Sequence, residues 1–299
     1  MEVVFSVLYQ RLAVVLFAAA FGVLVSRIAW SKGFFYLPQD NNNLKNVPTG
    51  LTILKAFLIF LFIEMVLAPA LYAAWVFYDK GTVVDPAKLG IPVEFKSWAN
   101  LGIIGLTGFG LIMFFNSLDK VARNAIWGSS SESRGGARNI KDFLMGGLVW
   151  IIAYPWILVI GQLLAILIAE FYHGPLPDQA AVKHLKDLYE HPLLFGITGV
   201  AVFTIIPFIE ELLFRGFLQS WLKANYGRTK AILLTSLIFA SFHFSMSQGI
   251  ENIEFISSLF FLSCFLGFVK ERQKSLWASV GLHSTFNAIS ILMLLSQLK

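Results

Sequence analysis

The sequence is poor in cysteine and in charge. Its single cysteine, Cys264, lies within an apolar run, which excludes a disulfide framework within the chain and a cysteine-based metal site. Charged residues make up only 14% of the 299 positions, whereas ordinary soluble domains carry about 25%. The formal net charge of +5 is modest, and we expect no nucleic-acid partner.

Apolar residues are present in large excess. The chain is 57% hydrophobic, contains 29 Phe and 8 Trp, and has a mean hydropathy of +0.71. A soluble fold of this length cannot bury so many large aromatic side chains, whereas a helical bundle solvated by lipid can accommodate them. We therefore predict an all-α polytopic protein, integral to the cell (inner) membrane and in contact with the lipid bilayer.

A helix that crosses a bilayer needs about 20 consecutive apolar residues. Eight runs approach that length, at Leu12–Trp30, Leu51–Tyr78, Trp98–Leu118, Phe143–Tyr172, Leu193–Leu222, Ala231–Met246, Phe255–Val269 and Leu276–Leu295. The sixth and seventh are short and also fit one re-entrant unit. The first run lacks a clear cleavage site, which favours a retained span over a secretory signal. We expect about eight transmembrane helices, with about four in residues 1–192 and a catalytic transmembrane domain in residues 193–299.

Lysine and arginine indicate the orientation of the spans. The loops after the first, third, fifth and seventh runs hold about twice as many of these residues as the opposite loops. Arg27 and Lys270 count among the residues at this more basic side. The bias predicts that this side is cytoplasmic and that both termini lie outside.

Ionisable side chains within the apolar runs are unevenly distributed. A charge or an imidazole inside a bilayer costs several kcal/mol unless it is paired, so each one is a candidate for function. The carboxylates within the first four runs are Glu64 and Glu170, which we expect at the interface or beside a cavity. The C-terminal runs contain the candidate site residues Glu210, Glu211, Arg215, His243, His283 and Asn287.

The spacing on the fifth run separates two neighbouring glutamates. Glu211 and Arg215 are four residues apart with the acid first, which is the favourable order for an ion pair on a helix. Glu210 lies about 100° around the helix from Glu211. One carboxylate can therefore be neutralised by Arg215 while the other remains available for chemistry. A purely structural ion pair explains Glu211 and Arg215 equally well.

The depths of these residues bring them to a common level. Glu210 lies 17 residues before Gly227 and His243 lies 16 residues after it, which is about 25 Å along either helix. His283 and Asn287 share one face of the eighth run and lie at a comparable depth. A carboxylate beside an imidazole can activate a water molecule, and a second imidazole with an amide can stabilise an oxyanion.

Three motifs carry a resemblance to a known family. They are Glu210-Glu211-Leu-Leu-Phe-Arg215 (EExxxR), Phe239-Ala-Ser-Phe-His243 (FxxxH) and His283-Ser-Thr-Phe-Asn287 (HxxxN). The C-terminal part of the chain, about residues 193–296, resembles the type II CAAX prenyl endopeptidases and their bacterial relatives, the CPBP or Abi proteins. Each motif alone is weak, whereas three in order on successive apolar segments are specific.

The resemblance implies roles for the site residues. Glu210 would be the general base assisted by His243, Arg215 would hold Glu211 as structural support, and His283 with Asn287 would stabilise the oxyanion. The implied activity is that of an intramembrane glutamate endopeptidase. Its partner would be a membrane-anchored protein or peptide that is cleaved near a membrane-embedded, prenylated or otherwise lipid-anchored terminus.

The expected cofactor and two other functions complete the set of hypotheses. We expect no cofactor, because the chain has no His-Glu-x-x-His signature, although Glu210, His243 and His283 could together bind zinc. A non-catalytic immunity or scaffold protein of the same fold would keep the same cavity. A proton-coupled transporter would also use Glu and His relays, but the sequence has no internal repeat to support it.

Overall fold

The structure is a computed structural model that describes residues 2–39, 48–80, 91–128, 136–172 and 180–298. Throughout these ranges the regular elements are helices, and no strand occurs. The prediction of an all-α fold is therefore confirmed.

The N-terminal part consists of long apolar helices with short connecting ones. They are α1 (Glu2–Ser31), α2 (Gly50–Phe62), a π-helical segment (Ile63–Leu67), α3 (Ala68–Lys80), α4 (Val93–Ser117), α5 (Lys120–Trp127), α6 (Gly136–Leu148), α7 (Trp150–Phe171) and α8 (Ala180–Asp187). Side chains at helix starts satisfy free backbone N–H groups, because the hydroxyl of Thr49 accepts from Thr52 and the carboxylate of Asp119 accepts from Ala122.

The C-terminal part begins at Pro192, a favoured residue for the first helical position. Its elements are α9 (Pro192–Phe203), α10 (Ile205–Glu211), a second π-helical segment (Leu212–Gln219), α11 (Ser220–Tyr226), α12 (Arg228–Ser241), a 3₁₀ helix (Met246–Glu251), α13 (Asn252–Gln273) and α14 (Leu276–Gln297). Gly227, at φ 82°, makes the sharp turn between α11 and α12 that a residue with a side chain would disfavour.

Seven helical stretches in the described ranges are long and apolar enough to cross a membrane. They are Leu8–Ser31, Gly50–Asp79, Val93–Ser117, Gly136–Phe171, Pro192–Tyr226, Met246–Gln273 and Leu276–Gln297. The chain is thus an integral, multi-pass membrane protein, whereas the predicted count of eight spans is not confirmed. The sixth predicted run forms α12, whose 14 residues reach only about 21 Å.

The close packing of α6 against α14 fixes the position of the last helix. A methyl group added at Gly146 would overlap the carbonyl oxygen of Ala278, and one added at Gly281 would overlap the carbonyl oxygen of Phe143. Small residues at such contacts let two membrane helices approach each other closely. His283 follows Gly281 by two positions, so this contact also fixes the depth of the His283 side chain.

The end of α13 differs from the prediction. The sequence placed Lys270 in a polar loop after the seventh run, whereas α13 continues to Gln273 and Lys270 is only 3% exposed. The helix extends because Lys270 and Glu271 both find polar partners inside the protein, and hydropathy along one segment does not report such partners.

Candidate active site

The two adjacent glutamates lie where a short α-helix passes into a π-helix. Glu210 and Glu211 end α10, and every residue of the π-helical segment that follows, Leu212–Gln219, is buried. π-Helical turns are rare and often occur at functional sites, because they change the direction in which side chains project. The distortion occurs in the segment that bears the EExxxR motif.

Glu211 and Arg215 form the predicted ion pair, and it is fully buried. Nη1 of Arg215 donates to Oε1 of Glu211 at 2.9 Å, and both side chains are 0% exposed. Nη2 of Arg215 donates to the hydroxyl of Ser263 on α13 at 2.6 Å. The guanidinium also lies over the ring of Phe239, 4.4 Å from its centroid. Three helices therefore hold Arg215 in place.

Lys270 supports the π-helical segment from α13. Its ammonium group donates to the backbone carbonyl of Arg215 at 2.6 Å and to the hydroxyl of Ser220 at 2.7 Å. That hydroxyl in turn donates to the carbonyl of Ala125 on α5 at 3.1 Å. A buried carbonyl without a partner is destabilising, so Lys270 satisfies a group in the distorted segment.

Glu211 has a second partner that the sequence analysis did not identify. Nδ1 of His283 on α14 lies 2.9 Å from Oε1 of Glu211. Spacing along one helix indicates Arg215 as a partner, but it cannot show which residue of another helix meets the same oxygen. Glu211 thus orients His283 as well as pairing with Arg215.

Glu210 lies between the two histidines of the C-terminal spans. Its Oε2 is 3.7 Å from Nε2 of His283, and its Oε1 is 4.0 Å from Nε2 of His243. The Glu210 side chain is 21% exposed, whereas that of Glu211 is 0% exposed. The structure therefore brings together three of the four side chains that the depth argument placed at one level, with the Glu210 carboxylate accessible and the paired Glu211 carboxylate enclosed.

His243 reaches this position from a turn. The sixth predicted run, Ala231–Met246, continues past His243, but α12 ends at Ser241. The backbone N–H of His243 donates to Ala240, and Nδ1 of its ring lies 2.9 Å from the carbonyl oxygen of Phe239. The imidazole takes the place that the backbone N–H would occupy in a continued helix, which explains why the helix stops.

The hydrogen bonds made by Nδ1 of His243 and Nδ1 of His283 determine whether each Nε2 atom offers Glu210 a lone pair or a proton. A backbone carbonyl only accepts, so Nδ1 of His243 donates to Phe239. Nδ1 of His283 likewise donates to the carboxylate of Glu211. In the neutral rings both Nε2 atoms then carry a lone pair directed towards Glu210. Separations of 3.7 and 4.0 Å exceed a direct N–H···O bond, so a small polar species between these groups would complete the arrangement.

Phe239 joins the parts of this site. It is fully buried, and its ring centroid lies 4.7 Å from that of His243 and 6.0 Å from that of His283. The ring of Phe239 also contacts the guanidinium of Arg215. The first residue of the FxxxH motif thus packs against three of the candidate residues at once.

Asn287 lies one helical turn beyond His283 on α14. Its side-chain amide donates to the carbonyl oxygen of Val202 at 2.9 Å, near the break between α9 and α10. Within the described part of the chain it forms no hydrogen bond with Glu210 or with either imidazole. The structure thus brings five of the six predicted side chains into contact and places the sixth beside them.

Two acids of the N-terminal half differ in their relation to the site. Oε1 of Glu64, in the first π-helical segment, accepts from the hydroxyl of Thr107 at 3.1 Å. Glu64 lies close enough to Glu210 for their charges to interact. Glu170 is exposed near the end of α7.

The donor set for a metal is limited. Among the described residues, no group of three or more His, Cys, Asp or Glu side chains is arranged to hold a metal ion. Of the set named for zinc, Glu210 approaches both imidazoles at 3.7 and 4.0 Å. Zinc would require Nε2 and Oε atoms at about 2.0–2.2 Å from one point.

Comparison with known proteins gives one match. No curated protein and no solved structure matches the chain. Residues 192–289 match the family model described as type II CAAX prenyl endopeptidase Rce1-like. The resemblance carried by the three motifs is thereby confirmed for the segment that holds all six candidate residues, and that segment is similar to the CAAX-type membrane proteases.

Proposed function

We propose that the protein is an intramembrane endopeptidase that uses Glu210 to activate water. The observation that supports this proposal is the position of its accessible carboxylate, 3.7 and 4.0 Å from the Nε2 atoms of His283 and His243. General-base catalysis requires the base within hydrogen-bond reach of the water, directly or through one water molecule.

The first step is attack of a bound water on the scissile carbonyl. Such a water donates one hydrogen to Glu210 and the other to Nε2 of His243, which leaves an oxygen lone pair free to attack. Glu210 takes the proton as the carbon–oxygen bond forms. It then passes the proton to the leaving amine as the carbon–nitrogen bond breaks, so no covalent enzyme intermediate is needed.

His283 and Asn287 stabilise the oxyanion in this proposal. Nδ1 of His283 is engaged by Glu211, so donation to the oxyanion requires a second proton at Nε2. The Glu211 carboxylate stabilises such an imidazolium directly, in the way that a buried acid orients a catalytic histidine elsewhere. The amide of Asn287 has one N–H beyond the one donated to Val202 and can supply the second donor.

The substrate is a membrane-anchored protein or peptide. Glu210 and His283 lie within candidate membrane spans, which supports a scissile bond close to a membrane-embedded terminus, prenylated or otherwise lipid-anchored. In this proposal residues 193–299 form the catalytic domain and the spans of residues 1–192 support it. The hydrolase acts in the cell (inner) membrane and needs no metal; Glu210, His243 and His283 are the set that would hold zinc if it did.

The test uses purified full-length protein and a lipid-anchored reporter peptide in nanodiscs. Glu210→Gln and His243→Ala should each lower the cleavage rate by at least about a hundredfold. The matched control is Glu170→Gln, which removes an exposed carboxylate from α7 and should leave the rate unchanged. All variants should unfold within a few degrees of the parent protein.

Three outcomes contradict the proposal. Unchanged cleavage by both site variants would exclude the mechanism. Loss of cleavage on treatment with a chelator, restored by zinc, would assign Glu210 and the histidines to a metal. No cleavage by the parent protein, with peptide binding that survives Glu210→Gln, would point to an immunity or scaffold protein of the same fold.

A further inference from the structure

A groove lies on the outer side of the bundle, between α1, α7 and the turn that follows α1. Its volume is about 520 Å³, within the range of small-molecule sites. Apolar side chains form most of its surface, with one cationic residue among them. The lining residues are Val23, Ser26, Arg27, Trp30, Ser31, Phe35 and Trp156. The groove is remote in sequence from the six candidate residues and independent of the proposed catalysis.

The walls of this groove are held by contacts from other helices. The indole N–H of Trp156 donates to the hydroxyl of Ser26 at 3.0 Å, which ties α7 to α1. On the opposite side, Arg272 of α13 donates to the carbonyl oxygens of Phe34 at 2.6 Å and Gly33 at 3.3 Å. The ring of Phe35 also packs on Phe268 at 6.0 Å. The groove is therefore formed before any ligand enters.

Arg27 differs from the other arginines near this turn. Arg272 binds two carbonyl oxygens, and Arg228 donates to the carbonyl of Pro38 at 2.7 Å. Arg27 is exposed and forms no hydrogen bond or ion pair with residues 2–39, 48–80, 91–128, 136–172 or 180–298. Its guanidinium is thus available to an anion at the groove.

The depth of Arg27 corresponds to the headgroup region. It lies four residues before the end of the candidate span Leu8–Ser31, which is about 6 Å along the helix. Trp30 and Trp156 accompany it, and tryptophan is enriched where hydrocarbon meets headgroups. The distribution of lysine and arginine predicts that this end of α1 lies at the cytoplasmic leaflet, where anionic lipids supply a negative surface potential.

We propose that this groove binds one anionic phospholipid, with its phosphate on Arg27 and an acyl chain along Trp30, Phe35 and Trp156. An arginine and a phosphate form strong paired hydrogen bonds, and the aromatic walls exclude water from them. A zwitterionic lipid presents a compensating ammonium beside its phosphate, so the single guanidinium favours a lipid with net negative charge. A free phosphate ion would leave the apolar wall without a partner.

The test is a lipid titration of the purified full-length protein, followed by native mass spectrometry. Phosphatidylglycerol should bind at least about tenfold more tightly than phosphatidylcholine. This is the difference in affinity expected when the charge-assisted pair between Arg27 and the phosphate is weakened. Arg27→Gln should remove that preference. Arg138→Gln is the matched control, because it removes an exposed arginine from α6 at the same predicted membrane face, and it should retain the preference.

Two further variants and one competitor complete the design. Trp30→Ala should weaken both lipids by removing acyl-chain contact, and Arg27→Lys should retain part of the preference for phosphatidylglycerol. Equal binding of the two lipids by the parent protein, or an unchanged preference in Arg27→Gln, would overturn the proposal. Displacement of phosphatidylglycerol by an equal concentration of inorganic phosphate would also overturn it, since it would show a simple anion site.

Discussion

The N-terminal spans have mean hydropathies of 1.7–2.4 and the C-terminal ones of 1.5–2.2, and the two groups also differ in how much of their surface is internal. In the most apolar 18-residue stretch of each span, 17–28% of the residues are buried in the four N-terminal spans. The corresponding share is 33–44% in the three C-terminal spans. Five of the six candidate residues belong to the C-terminal spans, and the sixth, His243, lies in the segment between two of them. Ionisable groups in a membrane need protein partners, and the more enclosed spans offer more of them than the less enclosed ones do.

The buried ion pair gives the largest expected effect on stability and tests this difference directly. Arg215→Met leaves Glu211 at 0% exposure with its charge uncompensated, which should destabilise the protein by about 3–5 kcal/mol. Thermal unfolding can be followed with a thiol-reactive dye at Cys264, the single cysteine. Arg138→Met should leave the unfolding temperature unchanged.

The double variant Glu211→Gln, Arg215→Met separates charge from packing. It should unfold at a higher temperature than Arg215→Met, because the unpaired carboxylate is gone. Equal destabilisation of the single and double variants would mean that Arg215 acts through its contacts with Phe239 and Ser263, and the ion-pair account would be wrong.

The close approach of α6 and α14 gives the next largest effect. Gly281→Ala adds a methyl group that overlaps the carbonyl of Phe143, so the helices must separate at a cost of about 1–3 kcal/mol. Gly102→Ala, on α4, is the matched control, since nothing lies within 4 Å of the added carbon. Equal unfolding temperatures for the two variants would contradict the close packing of α14.

Lys270 should affect the site through the π-helical segment. Lys270→Met leaves the carbonyl of Arg215 without this donor, which should reduce stability by about 1–3 kcal/mol. If Lys270→Met and Gly281→Ala lower the unfolding temperature equally, Lys270→Met should show the lower cleavage rate. The reason is that Glu210 and Glu211 lie directly before the π-helical segment that Lys270 supports. Lys183→Met, an exposed lysine on α8, is the control. A cleavage rate equal to that of the parent protein would show that Lys270 does not affect the site through the π-helical segment.

Substitution of Glu64 should have the smallest effect on the cleavage rate. Glu64 belongs to the N-terminal spans but lies near Glu210 of the C-terminal spans. Glu64→Gln keeps the side-chain oxygen that accepts from Thr107 and removes only the charge near Glu210. The cleavage rate should stay within about threefold, or roughly 0.7 kcal/mol, of the parent rate. A loss as large as that of Glu210→Gln would mean that the N-terminal half supplies a catalytic carboxylate.

Much of this organisation could be predicted from the sequence. Helical periodicity indicated the pairing of Glu211 with Arg215, and a count along two helices placed Glu210 opposite His243. These inferences depend on geometry within one helix or across one turn, where 1.5 Å per residue is a sufficient guide.

Contacts between helices distant in the chain could not be predicted in this way. The Glu211–His283 bond and the Arg215–Ser263 bond depend on how α10, α13 and α14 pack. The burial of Lys270 and the end of α12 before His243 depend on hydrogen bonds that hydropathy does not report. Tertiary partners, rather than local propensity, decide these features.

The most direct test of the central claim is an experimental structure of the full chain in a lipid nanodisc. The account predicts that the Glu210 carboxylate lies within about 4 Å of Nε2 of both His243 and His283, with density for a bridging water. A Glu210 side chain directed towards lipid, or separated from either imidazole by another side chain, would contradict it.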